Sequence, residues 1–370
     1  MTLAPLTSAA DSGEGGAAVI RVAISRNTTQ FKLKTSGKVF ALELKTGQKY
    51  MLLERATYEV RYIDFAHLTV AGELLESPVK LLAADGSEGV KLNGHLYKGD
   101  IYMKTTAAEK LEVIEHLSIE DYLYGVLPVE MSPSWPLEAL KAQAVASRTY
   151  ALKNANPKKD YDMTDGVETQ VYNGASGVNE RVIDAVDSTR GEVLKYKEKL
   201  ITAFFHACCG GHTAGASSAW GEAVIKPLYG VKDPFCSDAV HFSWEYYATT
   251  RDLLSFIQKM GSAALKIKGV RISRRDGSGR AMKLKFMTDS GSFTADAADL
   301  RKSFGTYDIK STLITRIAPG NGGYEFYGRG WGHGVGMCQE GAKQMALNGK
   351  NYKKILRQYY PGTSIGDLND

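Results

Sequence analysis

The central stretch of the chain, residues 118–152, reads SIEDYLYGVLPVEMSPSWPLEALKAQAVASRTYAL and predicts two helices joined by a proline-containing turn. Ser118 and Asp121 give a capping pattern, and the apolar residues that follow at helical spacing predict a helix that buries Tyr122 and Leu123. Pro128 lacks an N–H group and disfavours helix at the residue before it, so we expect the first helix to end at Leu127. Glu130 would then lie on or near the turn.

The second predicted helix covers 137–152 and is rich in alanine. It contains five alanines and no glycine, a composition with high helix propensity. Because alanine side chains are small, another element can approach this helix closely. We therefore expect it to be a buried, central element.

Glu130 is the candidate catalytic residue. Leu127, Val129, Met131 and Trp135 could shield it from water, and shielding favours a protonated carboxyl, the form that a general acid needs. The alternative is a structural glutamate that caps a helix or pairs with Arg148, since ion pairs create similar surroundings.

Composition narrows the class of protein. A chain of 370 residues with 44% hydrophobic residues can form one to three globular domains. The net charge of +5 suits an anionic polymer only weakly, and no Lys/Arg run or aromatic RNA-binding signature is present, so no nucleic-acid partner is predicted. We expect no transmembrane segment, because no apolar run approaches 18 residues, and no signal peptide is visible in residues 1–16.

The hydrophobic periodicity predicts an α+β fold. We expect a disordered tail (1–17), a β-rich N-terminal region (18–117) and a mixed core that carries the catalytic candidate (118–236 and 323–370). A small α+β subdomain (237–322) would be inserted before the glycine-rich C-terminal motif.

The segments FHACCGGHT and DPFC hold candidate metal ligands, which are His206, Cys209, His212 and Cys236. Thiols and imidazoles are suitable donors for tetrahedral zinc, and a site filled by four protein ligands would be structural. Adjacent thiols rarely bind one ion together, so we expect Cys208 or Cys209 but not both. A disulfide from Cys236 to one of them, or plain buried thiols, are the alternatives.

The motif YEFYGRGWGHGVGMCQEGAKQMAL (324–347) has five glycines between 328 and 336. Such glycines permit positive φ and close approach of another chain or a ligand. His333 in this loop could be a metal ligand or a core histidine. Trp220, further upstream, is expected in the core, with a platform for a sugar ring as the alternative.

Two long motifs, EDYLYGVLPVEM with EALKAQAVASRTYAL, and GRGWGHGVGMCQEGA, resemble the SpoIID/LytB family of cell-wall proteins. The resemblance implies a peptidoglycan lytic transglycosylase in which Glu130 is the catalytic glutamate. In such an enzyme the sugar's own 6-hydroxyl forms a 1,6-anhydro end, so one glutamate can act as acid and then as base, whereas ordinary glycosidases need two carboxylates. If Asp160, Asp162 or Asp165 faced Glu130, hydrolysis would be favoured instead.

The resemblance also suggests residues that shape the substrate groove: Lys141, Gln143, Arg148, Gln170, Tyr172, His333 and Gln339. It places His333 beside the groove, and it implies zinc at the cysteine-containing segments in some members but no metal in others. Cys338 stands where the family usually has serine, which leaves a thiol nucleophile paired with His333 as an alternative.

The resemblance implies an extracytoplasmic protein that binds peptidoglycan glycan strands, with a partner cell-wall hydrolase as a further possibility. Export would require either a trimmed chain or a start further upstream. The alternative function, from a different class, is that of a non-catalytic cell-wall-binding modifier of a separate amidase.

Overall fold

The computed structural model describes residues 18–84, 88–221 and 225–368. The fold is α+β, as predicted. The described residues divide into two compact units: the first lies within 18–135, 143–193 and 367–368, and the second lies within 136–142 and 194–366. The predicted disordered tail, 1–17, lies outside the described residues, and the division into five segments stays a prediction.

The first unit is mainly β-structure. Its strands are β1 (Val19–Thr28), β2 (Gln30–Thr35), β3 (Val39–Glu43), β4 (Lys49–Leu52), β5 (Thr57–Tyr62), β6 (His67–Val70), β7 (Glu73–Glu76), β8 (Val79–Ala83), β9 (Val90–Leu92), β10 (His95–Tyr97), β11 (Asp100–Thr105), β12 (Leu111–Ser118) and β13 (Met163–Thr164). They form a seven-stranded sheet, in the order β13-β1-β12-β11-β8-β3-β4, and a six-stranded sheet, in the order β10-β9-β2-β5-β6-β7.

The strands alternate apolar and polar residues, which is the pattern of sheets with one buried face. In β2, for example, Phe31 and Leu33 are buried and their neighbours Lys32 and Lys34 are exposed. The long antiparallel pairing of β1 with β12 leads directly into the first helix, because β12 ends at Ser118.

The helices of the first unit are α1 (Ile119–Glu130), α2 (Leu137–Asn154) and α3 (Glu180–Asp187). The Ser118 side chain caps α1 by accepting from the Asp121 N–H, as predicted. The predicted end at Leu127 was wrong, since α1 continues through Pro128 to Glu130. Proline removes one hydrogen bond in the last turn, but the Met131 N–H still donates to Leu127 and closes that turn.

The alanine-rich helix α2 is buried, as predicted. Its alanines at 139, 142, 144, 146 and 151 are all inaccessible to solvent. Residues 137–142 of this helix belong to the second unit and residues 143–154 to the first.

The second unit contains several small sheets and five α-helices among its described residues. Its elements are β14 (Glu192–Tyr196), β15 (Lys199–Leu200), β16 (Phe205–His206), α4 (Ala216–Trp220), a 3-10 helix (Lys226–Leu228), β17 (Ser243–Thr249), α5 (Thr250–Lys259), β18 (Ile267–Arg275), β19 (Ala281–Thr288), β20 (Gly291–Asp296), α6 (Ala297–Phe304), β21 (Ile314–Gly320), β22 (Gly323–Arg329), β23 (Met337–Cys338), α7 (Gln339–Leu347), α8 (Tyr352–Tyr359) and β24 (Ser364–Asp367).

One hydrophobic cluster in the second unit joins the sheets β17-β22-β21 and β18-β19-β20 to α5 and α6. Ile257, Leu284, Phe286 and Phe326 are among its most buried members. A separate pair of short parallel strands, β16 and β23, places His206 opposite Cys338. Across the parts of the chain that the structure describes, no helix has both the length and the hydropathy to span a bilayer.

Candidate active site and thiol cluster

Glu130 is half-buried at the C-terminal end of α1. Its Oε1 atom accepts a hydrogen bond from the Val171 N–H at 3.1 Å. Leu127 and Met131 are buried, as the shielding hypothesis requires, whereas Val129 is exposed. The backbone therefore orients the Glu130 carboxyl while the residue keeps partial contact with solvent.

Tyr172 holds the segment that carries Val171 against α1. The Tyr172 ring packs on Gly125, where a Cβ atom would lie only 2.4 Å from the ring. Its hydroxyl donates to Glu115 at 2.7 Å, and the same carboxylate accepts from two backbone N–H groups. Because Tyr172 is buried, direct contact with substrate does not fit this conformation, and its role is to position the segment.

Gln170 is also fully buried rather than facing solvent. The Tyr122 hydroxyl donates to Gln170 Oε1 at 3.2 Å. The Nε2 atom of Gln170 has no hydrogen-bond partner within the described part of the chain. Gln170 thus joins α1 to the segment at 163–173 from inside the protein.

Arg148 forms a buried ion pair with Glu120, not with Glu130. Its Nε and Nη2 atoms donate to the two Glu120 oxygens at 2.9 and 2.6 Å, and Nη1 donates to the Glu192 carbonyl at 3.1 Å. The Arg148 side chain is 0% exposed. The predicted contact of Arg148 with substrate therefore does not fit, because the guanidinium is buried and its N–H groups already donate to Glu120 and Glu192.

Gln143 is likewise inaccessible and donates to the Ser147 hydroxyl at 3.0 Å, one turn along α2. Lys141 is partly exposed and pairs with Glu138 at 3.4 Å in the second unit. Gln339 is buried at the first position of α7. For Lys141 and Gln339, a role in binding substrate stays a prediction.

The three aspartates that could have supplied a second carboxylate have other surroundings. Asp162 pairs with Arg21 at 2.8 Å, and Asp160 pairs with Lys104 at 2.7 Å. Asp165 lines a cavity on the side of the first unit where His95 and Tyr97 lie.

The candidate metal ligands that the structure brings together are Cys209, Asp233, Cys236 and Cys338. All four are buried, and their ligand atoms lie within 4.8 Å of one another. Cys209 and Cys236 were predicted. Cys338 is 129 residues from Cys209, but Asp233 stands three residues before Cys236 in the DPFC segment, which is a short-range signal that the sequence reasoning missed.

His206 and His212 are not members of this group. A ring nitrogen of His206, Nδ1, lies 3.1 Å from the Val335 carbonyl, and Nδ1 of His212 lies 2.7 Å from the Thr213 carbonyl. The Nε2 atom of His206 is buried and has no hydrogen-bond partner within the described ranges. Its assignment as a ligand stays a prediction that this geometry does not support.

Hydrogen bonds among the thiols shift their pKa values in opposite directions. Bonds from Cys208, Cys209 and Cys338 lower the pKa of the Cys236 thiol, which favours a thiolate there. The bond to Cys236 raises the pKa of Cys208 to about 12 and also raises the pKa of Cys209. Burial raises the pKa of Asp233.

Three sulfurs and one carboxylate, buried and close together, are a donor set suited to zinc. Tyr359 donates to Asp233 Oδ2 at 3.1 Å and the Phe235 N–H donates to Oδ1 at 2.9 Å, as outer contacts of a metal ligand do. All four cysteines of the chain are free, so the alternative of a disulfide is not what the structure contains.

Glycines in the C-terminal motif allow the cluster to form. Gly330 and Gly336 have φ of 76° and 73°, and a Cβ atom at either position would lie within 2.5 Å of a backbone carbonyl oxygen, that of Cys208 or Phe204. These glycines thus have the positive φ that the sequence analysis said they permit, and backbone from another part of the same chain approaches them closely. That approach brings Cys338 to the Cys209 N–H, with Sγ at 3.2 Å.

His333 is held at both ring nitrogens. Its Nδ1 accepts from the Val335 N–H at 3.1 Å, and the other nitrogen bonds to the Phe205 backbone. Burial lowers the pKa of His333 to about 4, so the ring is neutral at neutral pH. Cys338 is fully buried and caps α7, so a nucleophilic thiol paired with His333 does not fit. The position of His333 beside the groove stays a prediction.

Comparison with known proteins gives two family matches. The Stage II sporulation protein family, SpoIID, matches residues 107–196, and a domain of unknown function, DUF8618, matches residues 221–336. The first match contains Glu130 and the segment that holds it, and the second contains two of the four clustered metal-ligand candidates, Asp233 and Cys236.

Three relatives illustrate the similarity. An uncharacterised protein of Brachyspira hyodysenteriae is 40% identical over 294 residues, which is 76% of this chain and 75% of that protein. The stage II sporulation protein D of Bacillus subtilis is 31% identical over 334 residues, covering 83% of this chain and 90% of the relative. The amidase enhancer of Bacillus subtilis is 32% identical over 287 residues, 66% of this chain but only 40% of that longer protein.

These matches define the class of protein, since a relative that is 31% identical, stage II sporulation protein D, is matched over 90% of its length. The chain belongs to the SpoIID/LytB family, and the resemblance seen in its motifs is thereby confirmed.

Proposed function

We propose that the protein is a peptidoglycan lytic transglycosylase that cleaves glycan strands between N-acetylmuramic acid and N-acetylglucosamine. The observation that carries this proposal is Glu130, a half-buried glutamate oriented by the Val171 N–H at 3.1 Å. Membership of the SpoIID/LytB family supports a role at the cell wall and an extracytoplasmic location.

In the proposed reaction, Glu130 donates its proton to the bridging glycosidic oxygen as the bond from that oxygen to the sugar C1 breaks. The 6-hydroxyl of the same sugar then bonds to C1, and its proton returns to the Glu130 carboxylate. Each proton that leaves Glu130 is replaced within one turnover, so a single carboxyl group suffices.

The surroundings of the other charged groups support this one-carboxylate scheme. Asp160 and Asp162 are engaged by Lys104 and Arg21. Arg148 is engaged by Glu120, so it is not an ion-pair partner that would keep Glu130 ionised.

Mass spectrometry of glycan strands incubated with the protein tests the proposal. We expect muropeptides with 1,6-anhydro ends from the wild type and none from Glu130→Gln. Glu168→Gln is a matched control, because it removes another carboxylate from the adjacent 163–173 segment and should leave the product unchanged.

Three outcomes would contradict parts of this proposal. Product from Glu130→Gln would remove Glu130 from the chemistry, and incorporation of ¹⁸O from labelled water into new reducing ends would mean hydrolysis. No cleavage by the wild type, together with stimulation of a separate cell-wall amidase, would favour the second candidate function, which the amidase enhancer relative supports.

We further propose that the thiol cluster holds one structural zinc ion through Cys209, Asp233, Cys236 and Cys338. A bound ion would tie the 206–212 segment to the start of α7. Metal analysis after dialysis should give about one zinc per chain and a loss in Cys338→Ser. Zinc binding that is unchanged in Cys338→Ser but lost in His206→Ala would support the originally predicted ligand set instead.

A further inference from the structure

The guanidinium of Arg280 is buried beside the segment that carries Cys209. Arg280 directly precedes β19 and is 3% exposed. Its Nη2 atom donates to the Cys209 carbonyl at 2.8 Å, and its Nη1 atom donates to the His212 carbonyl, also at 2.8 Å. One side chain therefore fixes the backbone on both sides of the glycine pair that follows a candidate metal ligand.

A glycine of the C-terminal motif makes room for this guanidinium. Gly334 has a φ of 84°, and a Cβ atom there would lie 2.3 Å from Nη2 of Arg280. Any side chain at this position would overlap the guanidinium. The same motif that carries Cys338 to the thiol cluster thus also admits a cation beside it.

Arg280 is a buried cation that forms no ion pair with the described residues. Its Nε atom is buried and has no hydrogen-bond partner in the described part of the chain. Besides the two carbonyls, the guanidinium bonds only to the Ser278 hydroxyl, at 2.9 Å. The Asp276 carboxylate accepts from the Arg280 backbone N–H and from Ser278, but not from the guanidinium. Because an uncompensated buried charge is costly, an anion is needed nearby.

The thiol cluster can supply this negative charge. Burial lowers the pKa of the Arg280 guanidinium, and that shift is opposed by negative charge on Cys209, Asp276, Cys338 and Cys208. Zinc carries two positive charges, whereas three thiolates and one carboxylate carry four negative ones, so a zinc-loaded cluster is anionic. Attraction between this anion and a buried guanidinium is strong, because the interior screens charge poorly.

We propose that Arg280 is the counter-cation of the thiol cluster and that its charge raises the affinity of the cluster for zinc. This inference rests on the zinc site proposed above. Arg280 is a positioning residue, since it acts through the Cys209 backbone and through its charge rather than as a ligand. An arginine suits this role because it keeps its charge when buried and presents several N–H donors.

The affinity of the full chain for zinc, measured by competition with a chromophoric chelator, tests the proposal. Arg280→Gln keeps a hydrogen-bond donor without the charge, and Arg280→Lys keeps the charge without the guanidinium. We expect Arg280→Gln to bind zinc about tenfold more weakly, the lower end of the effect of outer contacts on metal affinity. Arg280→Lys should stay close to the wild type.

Arg301→Gln is the matched control. The Nε atom of Arg301 also donates to backbone carbonyls, those of Ile309 and Lys310, at 3.1 and 3.2 Å. Burial lowers the pKa of Arg301 too, but no anion among the described residues opposes that shift. Arg301 is only partly buried, so water can balance its charge. We therefore expect the affinity for zinc to be unchanged in this variant.

Urea unfolding with and without zinc separates the charge of Arg280 from its part in the fold. Tenfold weaker binding reduces the stability that zinc adds by about 1.4 kcal/mol. A purely structural role would lower the stability of the zinc-free protein and leave the zinc-dependent increment unchanged. If Arg280→Gln is unfolded without metal, the zinc concentration that folds it gives the affinity instead.

Three outcomes would overturn the inference. Unchanged affinity for zinc in Arg280→Gln would remove the proposed role of the charge, and equal losses in Arg280→Gln and Arg280→Lys would assign the effect to hydrogen bonding or packing. A wild type that binds no zinc would remove the zinc site and this inference together. The cleavage assay with Glu130→Gln does not depend on these measurements, so failure of the proposed enzymatic function remains distinguishable.

Discussion

Replacing Arg148 by methionine separates a role in the fold from a role in binding substrate. The guanidinium donates to both Glu120 oxygens at 2.9 and 2.6 Å, and neither side chain is more than 5% exposed. The variant leaves the Glu120 carboxylate buried, with the Gly191 N–H at 3.1 Å as a remaining donor. Breaking a buried ion pair from one side costs about 3–5 kcal/mol, so we expect the free energy of unfolding to fall by that amount.

A second substitution tests the physical reason. Adding Glu120→Leu to Arg148→Met removes the stranded charge, and apolar replacement of a whole buried pair is often neutral. We therefore expect the double variant to recover most of the lost stability. A double-mutant cycle over the three variants gives the coupling between the two side chains.

Urea unfolding measures these changes in the free energy of unfolding. Hydrogen exchange of peptides from α1 and α2 shows whether the loss of stability lies in the first unit. Arg190→Met is the control, because Arg190 pairs with Asp187 at an exposed position and should cost about 1 kcal/mol or less. The reasoning is refuted if Arg148→Met retains wild-type stability, and a loss of glycan binding in that stable variant would restore the predicted contact with substrate.

Three further predictions concern the first unit. Gly125→Ala should destabilise the protein by about 2 kcal/mol or more in urea unfolding, although alanine favours helix by about 1 kcal/mol, because its Cβ would overlap the Tyr172 ring. Tyr172→Phe should cost about 1–3 kcal/mol in the same assay, because it removes a donor from the buried Glu115, and unchanged stability would contradict this. Burial lowers the pKa of His116 to about 4 in the folded state, so the stability that depends on its neutral ring is fully present above pH 6.5 and is lost as pH falls toward 4. We therefore expect the free energy of unfolding to be about 2 kcal/mol lower at pH 5 than at pH 7.5. The His116→Phe variant should show a smaller loss.

Local signals in the sequence predicted the elements around Glu130. The Ser118 cap, the burial of Tyr122 and Leu123 and the alanine-rich α2 are all present, since capping and helical periodicity act over a few residues. The end of α1 was mispredicted because one proline in a last turn removes a single hydrogen bond without ending the helix.

The partners of individual side chains could not be read from the sequence in the same way. Arg148 is 28 residues from Glu120, and nothing in their spacing distinguishes that pair from one with Glu130. Cys338 reaches Cys209 only because two-residue parallel strands align His206 with Cys338, a pairing with no sequence signature of its own. Asp233 was within reach of sequence reasoning, since it stands only three residues before Cys236 in the same short segment.

The allocation of α2 has a practical consequence for anyone who wishes to dissect the molecule. The helix α2 has 18 residues, of which 137–142 belong to the second unit and 143–154 to the first. No single proteolytic cut or gene truncation can release either half as an uninterrupted polypeptide, because each is assembled from separate stretches of chain. A truncation after residue 193, for example, would leave residues 136–142 on the wrong fragment, so each isolated fragment would carry or lack several residues of α2.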